Sequence, residues 1–181
     1  MTNPSPEILR QLLTYEPETG FLFWKHRPAE FFKREQDWKS WNVKYANTRG
    51  FTALTIPGYH YGAIFGRMYF AHRVGFAIYN GHWPKQTIDH INGIITDNRI
   101  VNLRDVSRAD NQRNQKLPNT NTSGVIGVSW NKTKNKWQAG IKVGGRNRYL
   151  GRFDDKEEAV AVRRQAEKDL GFHPNHGRVE L

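Results

Sequence analysis

Behind a short polar lead, Ile8, Leu12 and Leu13 recur at helical spacing, with Ser5 placed as an N-cap and Pro6 in the first turn. This predicts a helix over residues 5–14, and the apolar run GFLFWK that follows reads as a strand. Residues 26–50 mix aromatic and charged side chains with no period, so FFKREQDWKSW takes no element. From 51 to 70, apolar and polar residues alternate around PG and FG breaks, the pattern of a hairpin. AHRVGFAIYNG predicts a helix stopping near Gly81, followed by the turn HWPKQ. Residues 88–114, IDHINGIITDNRIVNLRDVSRADNQRN, continue as strand, turn, strand and helix. Ser107 with Asp110 three residues later has the form of a capping box and starts that helix near Arg108.

LPNTNTSG, residues 117–124, is polar, holds Pro and Gly, and has no apolar period, so it divides the chain. The expected organisation is a first module over 1–116, with a β-rich lead-in and a core at about 86–116. A linker at 117–124, a second module over 125–172 and a tail at 173–181 follow. Within the second module VIGVSWNK, KWQAGIKV and RNRYLGRF predict three strands, the last two joined tightly across Gly144-Gly145. Ala159, Val162, Ala166 and Leu170 mark the inward stripe of a closing helix, with Gly171 at its C-terminal cap. The fold class is α+β.

Charge adds a partner to this picture. A formal net charge of +11 and a pI near 10.0 attract polyanions over long range, with nucleic acid first and an anionic membrane surface second. Cysteine is absent, which excludes disulfides, thiolate zinc sites and a cysteine nucleophile. The N-terminus lacks a basic segment leading into an apolar one, and no stretch approaches the ~20 apolar residues of a membrane span. A cytoplasmic protein with no membrane association and no obligate protein partner is expected.

The chemistry concentrates at residues 88–114. Phosphodiester hydrolysis needs a base for water, a cation for the charge that develops, and ligands to hold that cation. His90 can be the base, because imidazole titrates near neutral pH. Asp89 offers a hard oxygen, and the side-chain carbonyl of Asn111 suits Mg²⁺ or Mn²⁺, with Asn114 one turn further on. Adjacent residues of a regular strand point to opposite faces. For Asp89 and His90 to address one phosphate, the backbone is expected to leave ideal geometry on entering INGIITDN, helped by Asn92 and Gly93. A calcium-loop reading fails because Asp89, Ile91 and Gly93 do not supply oxygens at alternate positions.

DH, NG, DNR, NL and an Asn-bearing helix, together with the preceding AHRVGFAIYNG, resemble the HNH nuclease family over residues 72–114. The resemblance implies a ββα-metal unit, a hairpin and helix around one divalent ion. It implies Asp89 as metal ligand, His90 as general base, Asn102 as a clamp on the hairpin loop and Asn111 as second ligand. The CxxC pairs of the zinc-stabilised branch are missing, so Ile88, Ile100, Leu103 and Val106 must hold the unit. Arg99, Arg104, Arg108 and Arg113 are candidates to neutralise phosphates.

In the second module Lys132, Lys134, Lys136, Lys142, Arg146, Arg148 and Arg152 fall between Val125 and Phe153 with no acid among them. A sheet with a basic face and a helix behind it suits double-stranded DNA. Alternation puts Trp137, Ala139 and Ile141 inward, and Gln138, Gly140, Lys142 and Tyr149 outward. Gln138, Lys142, Arg146, Asn147, Arg148 and Tyr149 are the expected DNA contacts. GVSWNKTKNKWQAGIKV, YLGRF and EEA resemble the plant Apetala/ethylene-response DNA-binding domain over 123–171, although Ser129, Asn131 and Gly140 depart from its pattern. The combination resembles phage-type homing endonucleases. A noncatalytic DNA-binding regulator with a decayed nuclease fold is the alternative.

Overall fold

The computed structural model describes residues 2–115 and 117–177, which form a mixed α/β fold of small antiparallel sheets and short helices. The chain divides into two compact units, Met1–Val106 and Ser107–Leu181, so the division falls before the polar run 117–124. That run is built into the second unit. Asn121 accepts from the Gly124 amide at 2.7 Å, and the Ser123 hydroxyl donates to the Val125 carbonyl at 2.9 Å.

In the first unit α1 (Pro6–Leu12) starts at Ser5, whose hydroxyl accepts from the Ile8 amide. It ends two residues earlier than its spacing predicts, because Leu13 opens β1 (Leu13–Glu16) and pairs with Trp24 of β2 (Phe21–Trp24). The unassigned segment holds α2 (Glu35–Tyr45), which leads to the two-residue β3 (Arg49–Gly50) alongside β2. Hydrophobic periodicity misses α2 because polar groups dock it. Asn42 accepts from the Arg27 amide at 2.8 Å and donates to the Arg27 carbonyl at 3.0 Å. The Arg27 guanidinium lies 3.8 Å from the Trp41 ring centroid, a cation–π contact.

The 51–70 pattern forms β4 (Ala53–Leu54), β5 (His60–Ile64) and β6 (Arg67–Phe70), one antiparallel sheet. Helix α3 (Ala71–Asn80) follows at once and stops at Gly81, whose left-handed backbone caps it. Leu9, Leu12, Leu13, Leu22, Ile64, Val74 and Ala77 make the main core. A second cluster of Phe76, Ile88 and Leu103, with Ile100 against it, fixes the pair β7 (Thr87–His90) and β8 (Leu103–Val106) on α3.

The second unit opens with α4 (Arg108–Gln112), capped by Ser107, whose hydroxyl accepts from the Asp110 amide. Its sheet is β9 (Val128–Asn131), β10 (Lys136–Val143) and β11 (Arg146–Phe153), with β10 central. Gly144 and Gly145, both at positive φ, make the two-residue turn between β10 and β11. The closing helix, α5 (Lys156–Asp169), buries Ala159, Arg163 and Glu167 rather than the predicted stripe of Ala159, Val162, Ala166 and Leu170. Hydropathy could not show this, because two of the three are charged. Arg163 donates to Glu167 at 2.9 Å and to the Gly140 carbonyl at 2.8 Å, so its buried charge is paired. Gly171 follows the helix at positive φ, and the Phe172 amide closes onto the Glu167 carbonyl, a Schellman ending.

Candidate functional site

Strands β7 and β8 pair in regular antiparallel register, with Asp89 opposite Arg104 and His90 opposite Leu103. The backbone leaves ideal strand geometry on entering INGIITDN, as expected, but only after the Asp-His pair. The ladder continues through His90, and the turn begins at Ile91, whose amide donates to the Asn102 carbonyl. Packing of Ile88 and Leu103 against Phe76 imposes that register, so Asp89 and His90 leave opposite faces of the ribbon.

On one face, Arg104 donates from Nε to an oxygen of Asp89 at 2.8 Å, and its Nη2 lies 2.7 Å from the same oxygen as an ion pair. Asp89 is buried, and this pair supplies a cation to its carboxylate.

On the other face the His90 ring is buried, and its Nε2 lies 3.1 Å from Oδ1 of Asn98, itself only 4 % exposed. A carboxamide oxygen can only accept, so this contact is a hydrogen bond in the tautomer that carries the ring proton on Nε2. The His72 ring stands edge-on to His90 with centroids 5.1 Å apart, and Tyr59 lies 6.1 Å away. Burial lowers the pKa of His90 below the ordinary imidazole value, opposed by the Asn98 hydrogen bond and the charges of Asp89 and Asp97. His72 is pushed down to about 3 by burial, with the nearby His90 and Arg73 acting the same way.

The loop between the strands is tied from within. Asn102 accepts from the Asn92 amide at 2.9 Å and donates to the Asp97 carbonyl at 2.8 Å, so one carboxamide closes both sides of the turn. Asn92 donates to Asp97 at 2.7 Å, and Arg99 forms a forked pair with the same carboxylate. These contacts, led by the Arg99 hydrogen bond, hold the Asp97 carboxyl down at about 2.

Of the four arginines singled out from sequence, Arg99 pairs with Asp97, Arg104 with Asp89 and Arg113 with Asp110. Among the described residues only Arg108 of the four has no carboxylate partner. Asn111 lies on α4 in the second unit, half-buried, with buried Asn114 just beyond. Among the described residues no group of three or more His, Asp or Glu is arranged to hold a metal. Asp89 and Asn111 are nonetheless hard oxygen donors of the type Mg²⁺ or Mn²⁺ takes, and Arg104 meets Asp89 at one oxygen. The donor type fits such an ion.

Sequence reasoning missed Asn98. It lies in the quoted DNR, where its neighbour Asp97 also looks like turn chemistry, and the signal available was its distance of eight residues from His90 across a hairpin loop.

In the second unit the register sorts the expected DNA contacts onto two faces. Ile141 and Val143 stand opposite Arg148 and Arg146, whereas Lys142 stands opposite Asn147 and Gly140 opposite Tyr149. Since Ala139 and Ile141 are buried, Arg146 and Arg148 share the helix-side face, and Gln138, Lys142, Asn147 and Tyr149 share the outer one. Arg152 joins the outer set, its guanidinium 5.7 Å from the Tyr149 ring centroid. Gln138, Lys142 and Tyr149 thus face outward as expected, and Arg146 and Arg148 stand apart from them. Strand alternation splits consecutive residues, and the bulge between Ala139 and Gly140 shifts the register along β11.

Residues 69–113 match the family described as HNH endonuclease, so the chain carries a domain of that class, spanning the end of β6, α3, the β7–β8 ribbon and α4. Over 83 residues the chain is 37% identical to Protein 3.8 of Escherichia phage T7, covering 45% of this chain and 68% of that protein. It belongs to the same family as that phage protein. No solved structure matches the chain. Among the described residues no helix is long and apolar enough to cross a membrane.

Proposed function

We propose that this protein is a metal-dependent DNA endonuclease of the homing type, choosing its sites through the second unit. The observation that carries this reading is His90, buried in the HNH-matched segment with one ring nitrogen held by Asn98. With the ring proton on Nε2 donated to Asn98, the lone pair resides on Nδ1, which takes the proton from a water as that oxygen attacks phosphorus and the leaving oxygen departs. Asp89 and Asn111 are the proposed ligands of a divalent ion, Mg²⁺ or Mn²⁺, which when bound supplies positive charge at the phosphorane and the leaving oxygen. Asn102 keeps the loop closed, so that His90 and Asn98 stay in register.

DNA is the proposed partner, on grounds of the +11 charge and the HNH class of the domain. A three-stranded sheet backed by one helix supports reading the second unit as a DNA-binding module. Its outer face carries Lys142, Arg152, Gln138, Asn147 and Tyr149, a mixture of phosphate-binding and base-reading side chains.

Two observations favour the noncatalytic alternative, the first being that Asp89 and His90 leave opposite faces of the regular β7–β8 ribbon. The second is that the Asp89 carboxylate is already neutralised by Arg104, so a metal has to share or displace that cation. Incubation with supercoiled plasmid, with and without Mg²⁺ or Mn²⁺, separates the two readings. Metal-dependent nicked or linear product supports the nuclease, and bound but intact plasmid supports the regulator.

A further inference from the structure

We infer that Asn98 is a positioning residue, whose carboxamide oxygen holds the His90 proton on Nε2 and thereby presents Nδ1 as the basic nitrogen. The inference rests on His90 being the base of the proposed nuclease. Imidazole has two chemically distinct nitrogens, and the hydrogen bond made by one decides which is the base. At Nε2 the partner is the Asn98 carboxamide oxygen, at 3.1 Å, and both side chains are buried. The flanking rings of His72 and Tyr59 restrict rotation of His90.

Asn98 is itself braced by the N-terminal lead-in. The buried Tyr15 hydroxyl donates to the Asn98 carbonyl at 2.7 Å, and burial raises the phenol pKa, so the donor stays protonated. The Ile100 amide donates to the Pro17 carbonyl at 3.1 Å, tying the same segment to the turn after β1. Gly20, at positive φ, lies so close that a methyl group there would be 2.3 Å from the Asn98 carbonyl carbon. Residues 15–20 thus form a seat that fixes where the carboxamide stands. This gives the lead-in a task in the reaction beyond its share of the core.

The test uses the full chain with ¹⁵N-labelled histidine. In the parent, His90 should show a slowly exchanging ring proton on Nε2 and a pyridine-like Nδ1. Asn98→Ala should lose that proton signal and lower kcat by ~10²-fold, the order expected from misplacing a reacting group, with KM for plasmid little changed. Asn98→Asp keeps an acceptor and should restore both the signal and most of kcat. Should Asn98→Ala fail to fold, Tyr15→Phe leaves the carboxamide present but loosens its seat, and should weaken protection of the same ring proton. A parent His90 protonated on Nδ1, or an Asn98→Ala protein with unchanged ring signals and kcat, overturns the inference. The ring signals need no turnover, so an inactive parent would sink the nuclease reading while the tautomer assignment was still decided.

Discussion

Arg104 places two nitrogens on one oxygen of Asp89, directly across the β7–β8 ribbon. The contact links stability to the proposed metal site. Removing the guanidinium leaves a buried carboxylate without its cation, and Arg104→Gln should destabilise the protein by roughly 1–3 kcal/mol. That lies below the ~3–5 kcal/mol of fully buried pairs because solvent reaches the arginine. Mg²⁺ or Mn²⁺ should then restore more stability to Arg104→Gln than to the parent, since ion binding to the folded state adds to its stability. Urea unfolding with and without metal measures both. Equal metal responses would remove Asp89 from the ligand set.

His72 gives the first unit an acid sensitivity. Its folded pKa is about 3, against an ordinary value of 6.5, so the unfolded chain binds a proton that the folded one refuses. Between these values the unfolded state gains protons first, and stability falls as pH drops, by up to about 1.4 kcal/mol per pH unit. His72→Phe should flatten the stability profile in that window. Denaturant midpoints from pH 7 to pH 4 check it, and parallel profiles for parent and variant would contradict it.

The two faces of the second unit's sheet predict different effects on DNA binding. Lys142→Ala, on the outer face, should weaken binding and reduce the salt slope of log K by about 0.9, the counterion release of one phosphate contact. Arg148→Ala, on the helix-side face, should leave the slope near the parent value. Binding isotherms at several salt concentrations decide between them. The reverse pattern would place the DNA on the other face.

Elements whose stability comes from an apolar stripe or a turn were legible from the sequence. The β10–β11 turn at Gly144-Gly145, the α3 stop at Gly81 and the Ser107 cap needed only local chemistry. What escaped depends on polar groups meeting across space. Helix α2 docks through Asn42 and Arg27, and α5 buries an arginine and a glutamate, neither of which raises an apolar period. In the site, Asp89, His90 and Asn102 stood out as a spaced set, but the Asp89–Arg104 pair needed the strand register. Asn98 was hidden for a related reason, because an asparagine in a loop is equally suited to making the turn and to orienting a histidine.

The proposed function makes His90 the base of a metal-dependent DNA nuclease. Single-turnover cleavage of supercoiled plasmid by parent and His90→Ala, with Mg²⁺ present and DNA binding followed in parallel, tests it most directly. Binding should persist while cleavage falls by ~10²–10⁴-fold, the usual contribution of a general base. Cleavage by His90→Ala at the parent rate, still dependent on the metal, would contradict it.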